Sequence, residues 1–281
     1  MPPEADPDAA LARAAALLRD ADALLIGAGA GIDVDSGLPD FRGDHGFWRA
    51  YPPLAALGIR FVEIANPASF DAHPALAWGF YGHRLALYRA TQPHDGFAIL
   101  RDLAARLPHG AFVFTSNVDG QFQRAGFADD RIVECHGSIH HLQCSGPCTD
   151  AIWAADAVEP RVDPATCLMR APLPACPRCG RLARPNVPMF GRAASGDGRW
   201  VDARTEAQHA RFDAWCRRPT NLVAIEIGAG TDVPSVRRMG EVLRRPLVRI
   251  NPRAPHVAPG RGVGIAGGAL DTLRQLREML A

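Results

Sequence analysis

Three groups of residues have the types and spacing to do chemistry. Cys144 and Cys148 in "QCSGPC" are followed, after 27 intervening residues, by Cys176 and Cys179 in "PACPRCG". Two close pairs let two tight turns supply two thiolates each, which is how a tetrahedral zinc site is assembled. Four thiolates leave zinc no open position, so one structural ion is expected. The second group is "LLIGAGAGIDVDSGLPDFRG", residues 24–43, an apolar strand running into a glycine-rich turn. Such turns bring backbone N–H groups close to phosphates, yet this one carries Asp33, Asp35 and Asp40. The third is His136 in "CHGSIHH". Imidazole titrates near neutral pH and suits a general base, or it is simply a hydrogen-bonded residue at a strand end.

The two commonest phosphate motifs are excluded. After Gly27 and Gly29 the third glycine of a dinucleotide fingerprint is replaced by Ile32, and a chain without lysine has no P-loop. There remain Gly27, Gly29 and Gly31, then a helix start marked by Asp33, Asp35 and Ser36. Its N–H groups hold a pyrophosphate or are capped by Asp35 or Ser36. Cys135, Cys167 and Cys216 are left over and read as inert core. His140 and His141 read as structural, near the cysteines without ligating.

The elements that must position these groups can be read from hydrophobic patterning. Residues 8–20 read as an amphipathic helix with Leu11, Leu17 and Leu18 on one side, ahead of a strand at 23–26. Further core strands are "AFVFTS" (111–116), "IVEC" (132–135), "LVAIEIG" (222–228) and "LVRIN" (247–251), with helices at 97–106, 204–216, 234–244 and 269–280. Strands alternating with helices predict an α/β fold, a doubly wound Rossmann-like parallel sheet whose ligands sit at the strands' carboxyl ends. Residues 43–93 break the rhythm as a mostly helical insertion containing the helix 75–90, and 141–185 break it as a small module stapled by its cysteines. One domain over 1–281 is expected, with its Rossmann-like core at about 8–42, 94–140 and 186–281.

The bounds agree. With 281 residues and 47% apolar content the chain can bury a large core. A net charge of +1, from scattered arginines, gives no footprint for nucleic acid. The first residues lack a basic region, and their apolar stretch is broken by Arg19, Asp20 and Asp22, so neither a signal peptide nor a membrane span is expected. A cytoplasmic protein with reduced cysteines is the expectation.

Five stretches in order, "GAGAGIDVDSGLPDFRG", "TSNVDGQFQRAG", "CHGSIHHLQC", "RPNVPMFG" and "RIN", resemble the sirtuins, the NAD-dependent protein lysine deacylases. The paired cysteines fall in that family's zinc position, and the resemblance runs from about residue 20 to 275. It implies that Ala28, Gly29, Ala30 and Gly31 lie against the NAD pyrophosphate and ribose, with Asp40, Phe41 and Arg42 on the loop that closes over the cofactor. Asn117 and Asp119, beside Ser116, match the pocket for the nicotinamide carboxamide and its ribose. Gly228 and Asn251 match the adenosine side, and His136 the catalytic base. An acylated lysine on a protein is the implied partner, bound along the segment holding Val187 and Phe190. Nicotinamide and O-acyl-ADP-ribose are the implied products, with ADP-ribose transfer, NAD hydrolysis or NAD sensing as alternatives.

Several residues depart from the family pattern. Asp33 stands where a small hydroxyl residue or alanine is usual, and is expected to point away from the pyrophosphate or to contact a ribose hydroxyl. Ser116 replaces glutamine, Pro188 replaces valine and Arg192 replaces glutamate; Pro188 removes a donor from any added strand. Tyr81 and Arg84, three apart on one helix, resemble the pair of sirtuins that remove succinyl and malonyl groups. The alternative is a helix whose Trp78, Tyr81, Leu85 and Tyr88 pack inward.

Overall fold

The computed structural model describes residues 6–39, 43–191 and 198–281, so the expectations at Asp40, Phe41, Arg42 and Arg192 lie outside the described residues. Among the described residues the strands are β1 (Ala23–Ala28), β2 (Ala111–Thr115), β3 (Ile132–Glu134), β4 (Ser138–Cys144), β5 (Trp153–Ala154), β6 (Val162–Asp163), β7 (Leu168–Met169), β8 (Ala183–Asn186), β9 (Leu222–Ile227), β10 (Leu247–Ile250) and β11 (Gly262–Ile265). Six form one parallel sheet in the order β11-β10-β9-β1-β2-β3. The chain builds outward from β1 to β3, then returns to β9 on the other side of β1 and builds outward again. That reversal opens a crevice beyond the carboxyl ends of β1 and β9, where sheets of this kind bind ligands.

Both faces of the sheet are covered, which is why its strands are apolar runs rather than alternations. β1 and β9 are buried at every position. Leu24, Ile26, Val113 and Ile225 pack on the side of helices Pro7–Arg19, Asp95–Ala105 and Ala269–Leu280. Leu25, Phe112 and Phe114 pack on the other side, with Phe212 and Trp215 of helix Ala203–Cys216 and Val236 of helix Ser235–Val242. The first helix starts where it does because Asp6 accepts from the Asp8 N–H at 3.1 Å and Pro7 presets the backbone at its first position. No described helix is long and apolar enough to cross a membrane.

The two regions that interrupt the strand–helix rhythm share a second core. Phe47, Leu54, Phe70, Trp78 and Phe80 of the helical segment pack with Ile139, Leu142, Val187 and Met189 around the small sheet β5-β4-β8. Trp78 Nε1 donates to the Ala183 carbonyl at 2.8 Å. A Cβ at Gly79 would overlap the Cys167 carbonyl, so only glycine lets helix Pro74–Ala90 meet the β6–β7 hairpin. Sequence patterning passed over β4, β8 and β11. β11 reads "GVGI" and is interrupted by glycine, while β4 and β8 pair across 39 or more residues, which no local window registers.

Gly228 closes the main sheet at the crevice. Its φ is +64°, and a Cβ there would overlap the Gly31 carbonyl carbon. Gly228→Ala is therefore expected to cost at least about 2 kcal/mol, read as a lower urea midpoint with unchanged slope.

Candidate functional site

The cysteine cluster sits at the end of β4 and on the turn before β8. All four Sγ atoms lie within 4.8 Å of one another, with Cys144 to Cys179 and Cys148 to Cys176 both at 3.7 Å. A tetrahedron with Zn–S bonds of about 2.3 Å has edges of about 3.8 Å, so the donor set and its size fit zinc. Gly180, at φ +71°, closes the second pair by donating its N–H to the Cys176 carbonyl at 2.9 Å. The remaining cysteines are free thiols apart from the cluster. Burial pushes the Cys135 thiol up to about 12, which removes the thiolate a redox sensor needs.

At the mouth of the crevice the glycine turn is laced to the end of β9. Gly29 N–H donates to the Ile227 carbonyl at 3.0 Å and Gly31 N–H to the Gly228 carbonyl at 3.1 Å. Cβ atoms on Gly29 and Gly31 would stand 2.7 Å from the Cα atoms of Ala229 and Gly228. The turn-on-turn contact thus requires both glycines before any ligand is considered. The turn leads into a 3-10 helix, Ala30–Ser36, in place of the expected ordinary helix start.

Its acidic residues do separate work. Asp35 Oδ2 accepts from the Leu270 N–H at 2.8 Å, at the start of helix Ala269–Leu280. Ser36 Oγ accepts from the His94 N–H at 3.0 Å, at the N-cap of helix Asp95–Ala105. Both therefore serve helix N-termini, though not that of their own element. Asp33 is 2% exposed, and its Oδ2 accepts from Asn117 Nδ2 at 2.5 Å. Its carboxyl also lies within hydrogen-bonding reach of Asp119. Burial, then the neighbouring Asp119, hold the Asp33 pKa well above the usual carboxylate range; burial raises Asp119 as well.

Asn117 and Asp119 come just after β2 and are set by short bonds. Asn117 N–H donates to Thr115 Oγ1, and that hydroxyl donates to the Ala28 carbonyl, both at 3.0 Å. Asp119 Oδ1 accepts from the Gln121 N–H at 2.9 Å. Its backbone carbonyl faces His140 Nε2 at 2.7 Å, a structural use of that histidine. His136, half-buried just past β3, places Nε2 3.0 Å from Ser235 Oγ. The Ser116 carbonyl lies beside the ring and favours its protonated form; in the tautomer protonated at Nδ1, Nε2 turns its lone pair to the Ser235 hydroxyl. Burial lowers the His136 pKa despite that carbonyl, so the imidazole is neutral at physiological pH. Sequence reasoning missed Ser235; its only signal is a hydroxyl at the start of the helix Ser235–Val242, 99 residues from the histidine.

A sequence profile of the Sir2 family matches residues 29–211. The NAD-dependent protein deacylase 1 of Pseudomonas aeruginosa is 32% identical over 92% of this chain and 95% of its own length. The chain belongs to the Sir2 family. The NAD-dependent protein deacylase of Methylococcus capsulatus is 31% identical over 94% of this sirtuin and 95% of its own length. A solved Sir2 homologue–NAD complex shares its fold with a TM-score of 0.68, covering 95% of this chain and 94% of that one at 23% identity.

In this sirtuin Asn251, expected on the adenosine side, is committed to the fold. Asn251 Nδ2 donates to the Ala229 carbonyl at 3.0 Å, and its Oδ1 accepts from Arg253 and Ala254 N–H at 3.0 Å each. It pins the loop after β10 to the turn after β9. Ala30 is exposed, while Ala28 and Gly29 are buried. Past β8, Val187 is buried and Phe190 is exposed, its ring 5.7 Å from Phe61. Trp78, Tyr81, Leu85 and Tyr88 all pack inward. Arg84 is buried beside them, its Nε and Nη2 donating to Tyr88 Oη at 2.9 and 2.7 Å, and its guanidinium 5.3 Å from the centroid of Phe80.

Proposed function

We propose that this chain is an NAD-dependent protein lysine deacylase that releases nicotinamide and O-acyl-ADP-ribose. The observation that carries the reading is one juxtaposition. The neutral His136 ring lies against the carbonyl of Ser116, the residue before the buried Asn117, which supports a base and a carboxamide partner at the carboxyl end of the parallel sheet. NAD, when bound, supplies a ribose C1′ electrophile with nicotinamide as leaving group.

The chain's own residues do the rest. The turn at Ala28, Gly29, Ala30 and Gly31 receives the pyrophosphate side, and Gly228 and Asn251 shape the adenosine side. Asn117 and Asp119 orient the nicotinamide carboxamide and its ribose. His136 Nε2, once it parts from Ser235 Oγ, takes the proton from a ribose hydroxyl and so turns that oxygen into the nucleophile that draws the acyl group off lysine. The acylated lysine enters past Val187 and Phe190. A tetrathiolate zinc and free thiols suit a reducing cytoplasm.

Mass spectrometry of products from NAD with acetylated, succinylated and unmodified peptides tests the reading. O-acyl-ADP-ribose is expected; an ADP-ribosylated peptide, or ADP-ribose alone, would assign the transferase or the hydrolase instead. Acyl preference is a finer matter. A buried guanidinium among Phe80, Tyr81 and Tyr88 suits the distal carboxylate of a succinyl or malonyl chain. Arg84→Met is expected to lower desuccinylation at least about tenfold more than deacetylation; equal losses would make Arg84 a packing residue.

A further inference from the structure

We propose that Asp33 is a positioning residue of the carboxamide pocket: by accepting from Asn117 Nδ2 and sharing one proton with Asp119, it holds both groups in the orientation that receives nicotinamide. The ligand is taken from the deacylase reading; the positioning role rests on this chain's own departure at residue 33.

A carboxylate only accepts, so the Asn117 amide must turn Nδ2 toward Asp33 and Oδ1 the other way. The acceptor then left for a ligand is what the N–H₂ of a primary carboxamide needs. Asp33 Oδ1 is buried, and no N–H or hydroxyl among the described residues donates to it. The neighbour within reach is the carboxyl of Asp119, and two buried carboxyls at hydrogen-bonding range are compatible only when one proton lies between them. The alanine or small hydroxyl that the family pattern carries at this position has no carboxyl proton to share.

Charged and titratable groups face the pair from three elements. Tyr88 comes from helix Pro74–Ala90 with the Arg84 guanidinium on its hydroxyl, His140 from β4, and Glu134 from the end of β3. Burial keeps the shared proton in place well above ordinary carboxyl pH values. As pH rises further the proton is lost, the two carboxylates repel, and Asp119 is driven from the position opposite Asn117. Affinity for nicotinamide therefore falls with rising pH.

The test is calorimetric binding of nicotinamide to the full-length, ADP-ribose-loaded protein between pH 5.5 and 9, with ADP-ribose binding measured alongside. In the native protein nicotinamide binding is expected to weaken about tenfold across that range. Asp33→Asn, whose amide accepts from Asn117 and donates to Asp119, mimics the proton-sharing form and is expected to bind at the native low-pH strength at every pH. Asp33→Ala is expected to bind about tenfold more weakly with little pH dependence, with ADP-ribose affinity within about twofold of native in both variants. Thermal melting checks folding, and Asp33→Asn is expected to melt higher than the native protein, by more at pH 8 than at pH 5.5, because a raised carboxyl pKa withdraws stability progressively as pH rises above the ordinary carboxyl value. Native-like nicotinamide binding by folded Asp33→Ala, or an undiminished pH dependence in Asp33→Asn, overturns the proposal. A native protein that binds neither ADP-ribose nor nicotinamide overturns the NAD reading itself.

Discussion

Replacing His136 with alanine is expected to lower kcat/KM for deacylation by about 10²–10⁴-fold, the range for loss of a positioned general base. NAD affinity should be nearly unchanged, because the ring contacts Ser116 and Ser235 and no part of the glycine turn. The split is informative. Cleavage of nicotinamide precedes the proton transfer, so exchange of labelled nicotinamide into NAD should survive in His136→Ala while product formation is lost. The native pH profile has its origin in the same geometry. Burial lowers the His136 pKa below its ordinary value of 6.5, so kcat/KM should rise to a plateau with its midpoint below pH 6.5, the protonated ring being unable to accept. Ser235 donates to the neutral ring and favours it; Ser235→Ala should move that limb to higher pH. An unshifted limb would mean that the Ser235 hydroxyl does not favour the neutral ring in the free enzyme.

Loss of the metal is the second large effect. A structural zinc contributes about 10 kcal/mol or more to the folding of a small thiolate module. The module here is not independent, since Ile139, Leu142, Val187 and Met189 share a core with Phe47, Trp78 and Phe80. Cys144→Ala or Cys176→Ala is therefore expected to melt the helical segment and the small sheet together, and to abolish deacylation with them. Elemental analysis should give one zinc per native chain and none in either variant. Circular dichroism should keep the signal of the parallel sheet and its helices, while the fluorescence of Trp78 shifts as its bond to the Ala183 carbonyl breaks. A metal-free variant with native melting and native fluorescence would make the cluster dispensable.

The chain's own order of residues determined a good deal. Predominantly apolar runs such as 222–228, broken only by Glu226, read as strands covered on both faces, and the periodic stretches between them became the helices that cover them. Two close cysteine pairs were enough to specify a zinc cage, because the ligands of each pair are neighbours along the chain and the turns between them are local. The family motifs pointed to Asn117, Asp119 and His136 for the same reason: each motif is a short segment with its own backbone geometry.

What only the tertiary structure decided lies between segments. Gly29 and Gly31 look like a phosphate turn, yet their missing side chains are required by Gly228 and Ala229, almost 200 residues away. Asp35 reads as a cap for its own element and instead caps a helix 235 residues further on. The helical insertion and the cysteine module break the pattern as two regions and fold around one core. Asp33 is the plainest case. Beside Asp35 and Asp40 it is one more carboxylate near a phosphate turn, and nothing local distinguishes it. Its burial, its bond to Asn117 and its raised pKa arise only when β1 and β2 lie side by side, since a pKa is set by the groups that surround a side chain in space and not by those beside it in sequence.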